Sequence, residues 1–97
     1  MKARPNVAIL GATGAVGREF LAVLEQGQWE VESLRLLASA RSAGAKLSYQ
    51  GRELVVEEVS ERCFDGVDIA LFSAGALVSR QWAPVAIEAG ARVVDNS

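Results

Sequence analysis

Apolar residues follow two patterns along the chain: short continuous runs, and stripes at helical spacing. The run from Asn6 to Leu10 ends at a glycine, which is typical of a buried parallel strand. From Ala15 to Gly27 the apolar positions recur at helical spacing, which predicts an amphipathic helix. The apolar face of that helix consists of Val16, Phe20, Val23 and Leu24. This part of the chain is therefore predicted to be a strand, a glycine turn and a helix.

The next segment contains a second strand and a small hairpin. Residues 34–38 form an apolar run that predicts a strand and completes a βαβ unit. Residues 39–45 are rich in small residues and are predicted to form a loop. Two short runs near residues 46–57 flank Gln50-Gly51, which predicts a hairpin around a glycine turn.

The last third repeats the alternation of strand and helix. A helical turn is predicted over residues 60–64, followed by a buried strand over residues 67–72. A helix is predicted over residues 78–89, in which Pro84 is expected to kink the helix or to mark a fresh helix start. Residues 92–94 predict a final strand. The fold class is therefore α/β: a Rossmann-like, doubly wound, mostly parallel sheet covered on both faces. Because a strand comes last, where such a sheet normally continues, we expect a truncated sheet.

Three glycines, Gly11, Gly14 and Gly17, separate the first strand from the first helix. A dinucleotide fingerprint uses such glycines for a tight turn, for close approach of the backbone to the pyrophosphate, and for helix–strand packing. The alternative is a connection in which glycine serves chain geometry alone. The preceding strand and the following helix favour dinucleotide binding, with the Thr13 hydroxyl as an added donor. The backbone N–H groups expected to face the pyrophosphate are those of Thr13, Gly14, Ala15 and Val16.

The end of the second predicted strand distinguishes between the two nicotinamide cofactors. NAD sites usually place Asp or Glu there to bind the ribose hydroxyls. This chain has no acid at that point but has Ser39, Arg41 and Ser42. A guanidinium can bind a 2′-phosphate through two hydrogen bonds, and the serine hydroxyls can donate to it. The sequence therefore predicts NADP, although an ordinary surface arginine remains the alternative when Arg41 is considered alone.

Two later strands also end in small or polar residues. Ser73, Ala74 and Gly75 follow the strand of residues 67–72 and are predicted to lie near the ribose or the nicotinamide. A simple strand–helix connection is the alternative. Asn96 follows the last strand and is a candidate hydrogen-bonding partner for nicotinamide or substrate.

Composition narrows the classes of function. The 10 basic and 12 acidic residues give a net charge of −2, which disfavours nucleic-acid and anionic-membrane partners. No apolar run is long enough to cross a bilayer and no signal-peptide pattern is present, so a cytoplasmic location is expected.

The reactive residue types are scarce. The chain has one cysteine and no histidine, so it cannot form an internal disulfide, a Cys/His zinc site or a Cys-His nucleophile pair. Cys63 is expected to be an inert structural thiol, and Trp29 and Trp82 are expected to pack in the core or in an interface. We therefore predict no catalytic residue and no metal ligand among these 97 residues.

Four segments of the chain together resemble the bacterial aspartate-semialdehyde dehydrogenases: VAILGATGAVGREFL, LRLLASARSAG, VDIALFSAG and VVDNS, in the order and spacing of that family. The resemblance covers residues 6–97. It implies a reaction that reduces aspartyl 4-phosphate to aspartate 4-semialdehyde with NADPH, in lysine, threonine and methionine biosynthesis. By position, residues 13–16 resemble the family's pyrophosphate loop, Arg41 and Ser42 its 2′-phosphate clamp, and residues 73–75 its ribose–nicotinamide edge.

The resemblance also implies a larger, two-domain enzyme of which residues 1–97 are the N-terminal NADP-binding domain. The family's nucleophilic cysteine, catalytic histidine and substrate-binding arginines lie in sequence beyond Ser97, and Cys63 does not match the nucleophile's motif. We therefore expect this chain to be inactive alone, and the full-length protein to be a homodimer or homotetramer that acts on a small-molecule substrate.

Two alternatives remain open at this point. One is a non-catalytic NADP-binding or sensing homologue. The other is an atypical short-chain reductase, a class that needs a Tyr-x-x-x-Lys pair. Tyr49 is followed four positions later by Glu53 rather than by lysine, which disfavours the second alternative.

Overall fold

The computed structural model describes residues 4–27 and 30–96. Trp29, expected to pack in the core or an interface, lies outside these ranges. Neither helix in the described ranges is long and apolar enough to cross a bilayer. The elements in chain order are β1 (Asn6–Leu10), α1 (Ala15–Glu25), β2 (Ser33–Ala38), β3 (Lys46–Tyr49), β4 (Arg52–Val55), β5 (Glu57–Glu58), β6 (Ile69–Phe72), α2 (Ala76–Glu88) and β7 (Arg92–Asp95).

The main sheet has the strand order β5-β2-β1-β6-β7, and each pair of neighbouring strands is parallel. The chain runs outward from β1 through β2 to β5, then returns to place β6 on the other side of β1. The winding therefore reverses between β1 and β6. Ligands of open α/β sheets bind at such a reversal, outside the carboxyl ends of the strands. The predicted doubly wound parallel sheet is confirmed.

Both faces of the central strand, β1, are buried. Val7 and Ile9 of β1 face the α1 side, where Leu21 and Leu24 of the helix pack against them. The alternate residues of β1 face the α2 side, since successive side chains of a strand point to opposite faces. The core on that side includes Ala8, Leu10, Phe64, Phe72 and Ala86. Each large side chain buried in this way stabilises the fold by about 1.5–3 kcal/mol.

The predicted hairpin is confirmed as the two-stranded sheet of β3 and β4. It packs on the α1 side of the main sheet, where Tyr49 is buried. Gln50 and Gly51 both have positive φ, 51° and 77°, as a type I′ turn requires. The Glu25 carboxylate of α1 accepts a 2.6 Å hydrogen bond from the backbone N–H of Gln50, which joins the turn to the helix.

Some element boundaries differ from the predictions. The two-residue strand β5 was not predicted, because two residues are too short to show a period. β6 begins at Ile69, two residues later than predicted, and α2 begins at Ala76, two residues earlier. α2 also continues through Pro84, so of the two predicted alternatives a fresh helix start is excluded, and a kink at Pro84 stays a prediction. Pro84 has no N–H to donate to the carbonyl oxygen of Arg80, and both residues are exposed, on the solvent side of the helix.

Candidate functional site

Gly11 makes the tight turn at the end of β1. Its φ of +91° lies in the region that favours glycine, and a Cβ atom here would lie 2.9 Å from the carbonyl carbon of Ser73. The carbonyl oxygen of Leu37 accepts hydrogen bonds from the N–H groups of Gly11 and Ala12, at 2.9 and 3.2 Å. The turn is therefore held between the ends of β2 and β6, the two strands that flank β1.

Gly17 allows α1 to pack on this turn. It is buried, and a Cβ atom on it would lie 2.1 Å from the carbonyl oxygen of Gly11. Any side chain at this position would push the first turn of the helix away from the strand. Glycine costs a helix about 1 kcal/mol relative to alanine, so its presence here reflects the close packing.

Gly14 differs from the other two glycines because no described neighbour requires it. Its φ is −78°, which any residue adopts, and a Cβ atom would lie 3.5 Å from its nearest neighbour, an ordinary contact. Gly14 is exposed and is the N-cap of α1, with no side-chain cap and no acid in the first turn. The N–H groups at the start of a helix have no intrahelical acceptor, so those of Ala15, Val16 and Gly17 are available to an anion.

Arg18 adds a positive charge beside this helix end. Its Nε donates a 3.1 Å hydrogen bond to the carbonyl oxygen of Thr13, inside the turn. The N–H of Gly14 donates to the carbonyl oxygen of Gly11 at 3.1 Å, so the turn is closed from both sides. Sequence reasoning did not single out Arg18, because only the folded turn brings its side chain to Thr13.

A cleft of about 360 Å³ lies at the carboxyl edge of the sheet, where the winding reverses. It brings together five residues predicted from the sequence: Gly11, Thr13, Ser39, Ser42 and Ala74. The other lining residues are Leu10, Ala38, Val59, Val78, Gln81 and Trp82. A mostly apolar cleft with a few polar groups is the usual form of a cofactor site.

The α2 side of this cleft was missed by sequence reasoning. Val78 and Trp82 are four residues apart and therefore lie on one face of α2. Trp82 is half-buried and packs partly against the core, as expected, but it also lines the cleft. The spacing of these two residues was visible in the sequence, but spacing alone does not show that this helix face borders the cleft.

The loop after β2 carries the predicted 2′-phosphate residues. The carbonyl oxygen of Ser39 accepts hydrogen bonds from the N–H groups of Ser42 and Ala43, both at 3.0 Å, which makes the loop a compact turn. Arg41 is exposed and lies in sequence between the two serines that line the cleft. Its guanidinium makes no hydrogen bond or ion pair with any residue that the structure describes. It is therefore free to bind an anion.

The segment after β6 is tied to the glycine turn. The N–H of Ser73 donates to the carbonyl oxygen of Leu10 at 2.9 Å, and the Ser73 hydroxyl lies 3.4 Å from the same oxygen. Ala74 lines the cleft, whereas Ser73 and Gly75 do not. Gly75 is exposed, has a φ of +98° and is the N-cap of α2. A second helix N-terminus therefore opens at the same edge of the sheet.

Asn96 lies at the end of β7 and outside the cleft lining. Its backbone N–H donates a 2.9 Å hydrogen bond to the carbonyl oxygen of Phe72, and the residue is exposed. Asp95 before it accepts a hydrogen bond from the buried hydroxyl of Ser79 on α2. Asn96 is thus at the predicted sheet edge, but one strand farther from the glycine turn than Ser73.

Cys63 lies in the turns before β6, away from the cleft. Burial raises the pKa of its thiol, and the hydrogen bonds from Ser60 and the charge of Arg35 only partly offset that shift. The thiol is therefore neutral near pH 7, and a neutral thiol is a poor nucleophile. Its inert role stays a prediction.

A second hollow, of about 480 Å³, lies near the amino ends of the strands, between the hairpin and the start of β2. Its lining includes Arg4, whose Nε lies 3.8 Å from Glu30 and 3.9 Å from Glu32, all with exposed side chains. Although it is the larger hollow, it is at the wrong end of the sheet for a ligand of this fold class. The carboxyl-edge cleft is therefore the candidate site.

A family model matches residues 6–97, and its description is "Semialdehyde dehydrogenase, NAD binding domain". The chain belongs to this family. The match to the semialdehyde dehydrogenase NAD-binding domain includes the glycine turn, the loop after β2 and the ends of β6 and β7.

Curated relatives of this semialdehyde dehydrogenase domain agree with the family match. The chain is 52% identical over 92 residues to the aspartate-semialdehyde dehydrogenase of Bacillus subtilis, which covers 95% of the chain and 27% of that protein. It is also 52% identical over 92 residues to the enzyme of the same name from Legionella pneumophila, covering 26% of that protein. The chain thus spans about a quarter of the length of these relatives.

Solved structures give the same result. The chain is similar to aspartate semialdehyde dehydrogenase II of Vibrio cholerae complexed with ASA, with a TM-score of 0.92 and 49% identity, over 97% of this chain and 31% of that one. It is also similar to aspartate semialdehyde dehydrogenase with NADP from Candida albicans, with a TM-score of 0.77 and 28% identity, over 97% of this chain and 30% of that one. The resemblance to aspartate-semialdehyde dehydrogenases and the Rossmann-like fold are confirmed, while the roles of individual residues stay predictions.

Proposed function

We propose that residues 1–97 are the NADP-binding N-terminal domain of an aspartate-semialdehyde dehydrogenase. The observation that carries this proposal is the division of roles among the three glycines. Gly11 is required by its positive φ and Gly17 by its packing, whereas Gly14 has no such requirement among the described residues. Because glycine has no side chain, it leaves the N-terminus of the helix uncovered, so that a pyrophosphate can approach the backbone closely.

The pyrophosphate is proposed to bind at the start of α1. The N–H groups of residues 13 and 15–17 and the Thr13 hydroxyl are the proposed donors, and the helix dipole favours the negative charge. The N–H of Gly14, predicted to be among them, already donates to the carbonyl oxygen of Gly11. Arg18 is within reach of the same turn, as its hydrogen bond to Thr13 indicates. These groups bind and orient the cofactor, and they take no part in the chemistry.

The preference for NADP is proposed to come from Arg41, with the hydroxyls of Ser39 and Ser42. Three observations support it: the guanidinium has no partner among the described residues, both serines line the cleft, and the similar Candida albicans structure contains NADP. A guanidinium–phosphate pair is a strong, charge-assisted contact. NAD lacks this phosphate and leaves Arg41 without a partner.

The nicotinamide half is proposed to extend past the ends of β6 and β7. Ser73, Ala74 and Gly75 lie beside the glycine turn, and Asn96 lies farther along the same edge. Gly75 leaves the N-terminus of α2 uncovered. These positions suit the ribose and the nicotinamide ring, with Asn96 nearest to the substrate.

The full-length protein is proposed to reduce aspartyl 4-phosphate to aspartate 4-semialdehyde, in the cytoplasm and as a homodimer or homotetramer. When bound, NADPH supplies the hydride for this reduction. The residues of this chain hold the cofactor and set its position, while the nucleophile, the base and the substrate-binding arginines are proposed to lie beyond residue 97.

The reverse reaction tests this function in the full-length protein that carries the chain. Aspartate 4-semialdehyde, phosphate and NADP are mixed with the enzyme, and the absorbance of NADPH is followed. We expect NADP reduction that depends on phosphate and that is slower with NAD. NADPH binding without turnover would favour the non-catalytic binding module and contradict the proposed activity.

A further inference from the structure

We propose that Trp82 forms the wall of the cleft against which the adenine base of the cofactor lies. The inference rests on the proposed function and adds a binding residue to it. The sequence predicts only a packing role for Trp82, in the core or in an interface. Here Trp82 is proposed to contact the ligand as well.

The proposed roles of the other lining residues determine which half of the cofactor would reach Trp82. Thr13 belongs to the turn proposed for the pyrophosphate, and Ser39 and Ser42 flank the arginine proposed for the 2′-phosphate. In NADP that phosphate is on the ribose attached to adenine. The adenine base and the 2′-phosphate are attached to the same ribose, so the base must lie close to the Ser39–Ser42 loop. It lies on the adenosine side of the pyrophosphate, away from the nicotinamide.

The remaining lining of the cleft is mostly apolar. It includes Ala38, Val59, Val78 and Trp82, which come from the end of β2, the segment after β5 and α2. The faces of a purine are apolar and stack on aromatic rings. Among the described lining residues, Trp82 alone is aromatic, and Gln81 beside it offers an amide to the polar edge of the base.

Trp82 is also held in place. It is half-buried and packs against the core on the α2 side, so the part of its side chain that lines the cleft is supported from behind. A supported aromatic side chain loses little conformational entropy when a base binds to it. The leucine at position 77 on the same helix is 77% exposed and lies outside the cleft lining, which makes it a suitable control.

Tryptophan fluorescence tests the placement directly. The chain has two tryptophans, so Trp29→Phe leaves Trp82 as its one reporter. This variant is titrated with adenosine 2′,5′-bisphosphate, the adenine half of NADP, and separately with nicotinamide mononucleotide. We expect a saturable change in Trp82 fluorescence with the first ligand and none with the second. A change with nicotinamide mononucleotide alone would overturn the proposal.

Calorimetry of Trp82 variants tests the contribution to affinity. Trp82→Leu keeps most of the apolar packing but removes the ring, so folding is preserved better than in Trp82→Ala. We expect Trp82→Leu to weaken NADPH and adenosine 2′,5′-bisphosphate by the same factor, about tenfold, within the roughly five- to 150-fold range of base stacking. Trp82→Phe should retain most of the affinity, and Leu77→Ala should retain all of it.

The outcomes separate this inference from the proposed function. If the wild-type chain binds NADPH but Trp82→Leu binds it equally well, with unchanged unfolding, Trp82 only packs and the inference is overturned alone. If the folded wild-type chain binds neither NADPH nor adenosine 2′,5′-bisphosphate, the proposed function and the inference both fail.

Discussion

A Cβ atom on Gly17 would lie 2.1 Å from the carbonyl oxygen of Gly11. This contact between the first turn of α1 and the end of β1 explains why a buried helical position is occupied by glycine. It also brings the open N-terminus of α1 directly over the carboxyl end of the central strand. The position of the proposed pyrophosphate site depends on this contact.

Gly17→Ala should destabilise the fold. The added methyl group overlaps with backbone atoms, which cannot move aside as a flexible side chain can, so α1 must shift. We expect a loss of about 1–3 kcal/mol or more in the free energy of unfolding, measured by urea denaturation. An unchanged unfolding midpoint would show that the helix packs less closely than described.

Gly14→Ala should show the opposite behaviour. Position 14 has an ordinary φ and room for a Cβ atom, so the unfolding free energy should change by less than about 1 kcal/mol. The methyl group should instead block the approach of the pyrophosphate and weaken NADPH binding by about tenfold or more, measured by calorimetry. Full affinity in Gly14→Ala would remove the main support for the pyrophosphate site.

Arg18→Ala should weaken NADPH binding modestly without unfolding the chain. The substitution removes a positive charge near the site and the 3.1 Å hydrogen bond that holds the Thr13 carbonyl. For an exposed charge we expect a loss of about two- to fivefold, smaller at high salt. Arg80→Ala, an exposed site on α2 outside the cleft, serves as the control. A loss of the same size in both variants would assign no specific role to Arg18.

Cys63 should make the stability of the chain fall at alkaline pH. Burial raises the pKa of its thiol in the folded state, so the unfolded state releases the proton first. The contribution of this thiol to the free energy of unfolding is fully present below the pKa of the thiol in the unfolded state, about 8.5. It decreases as the pH rises above that value. Urea unfolding of wild type and Cys63→Ala across this pH range measures the difference.

The same substitution tests the assignment of Cys63 as a structural residue. Cys63→Ala should lack this part of the alkaline decrease in stability, while the full-length protein keeps nearly all of its activity. A large loss of turnover would instead place the Cys63 thiol in the chemistry.

The sequence predicted the glycine turn and its flanking elements well, because local pattern determines them. The bounds of β1 match the prediction, and α1 begins at the predicted Ala15. The two-residue β5 escaped prediction because it shows no period, and the role of Trp82 was missed for a different reason. The apolar face of α2 both covers the core and borders the cleft. Which of its residues reach the cleft depends on how α2 crosses the sheet, and the sequence pattern does not show this.

The most direct test of NADP binding compares NADPH with NADH by titration calorimetry on the wild-type chain and on Arg41→Asp. We expect the wild type to bind NADPH about ten- to 150-fold more tightly, the range of one charge-assisted contact. Arg41→Asp should abolish or reverse that preference, whereas Arg62→Asp, at an exposed site in the turns before β6 and away from the Ser39–Ser42 loop, should preserve it. Equal affinities of the wild type for NADPH and NADH would contradict the assignment of Arg41 and of NADP as the cofactor.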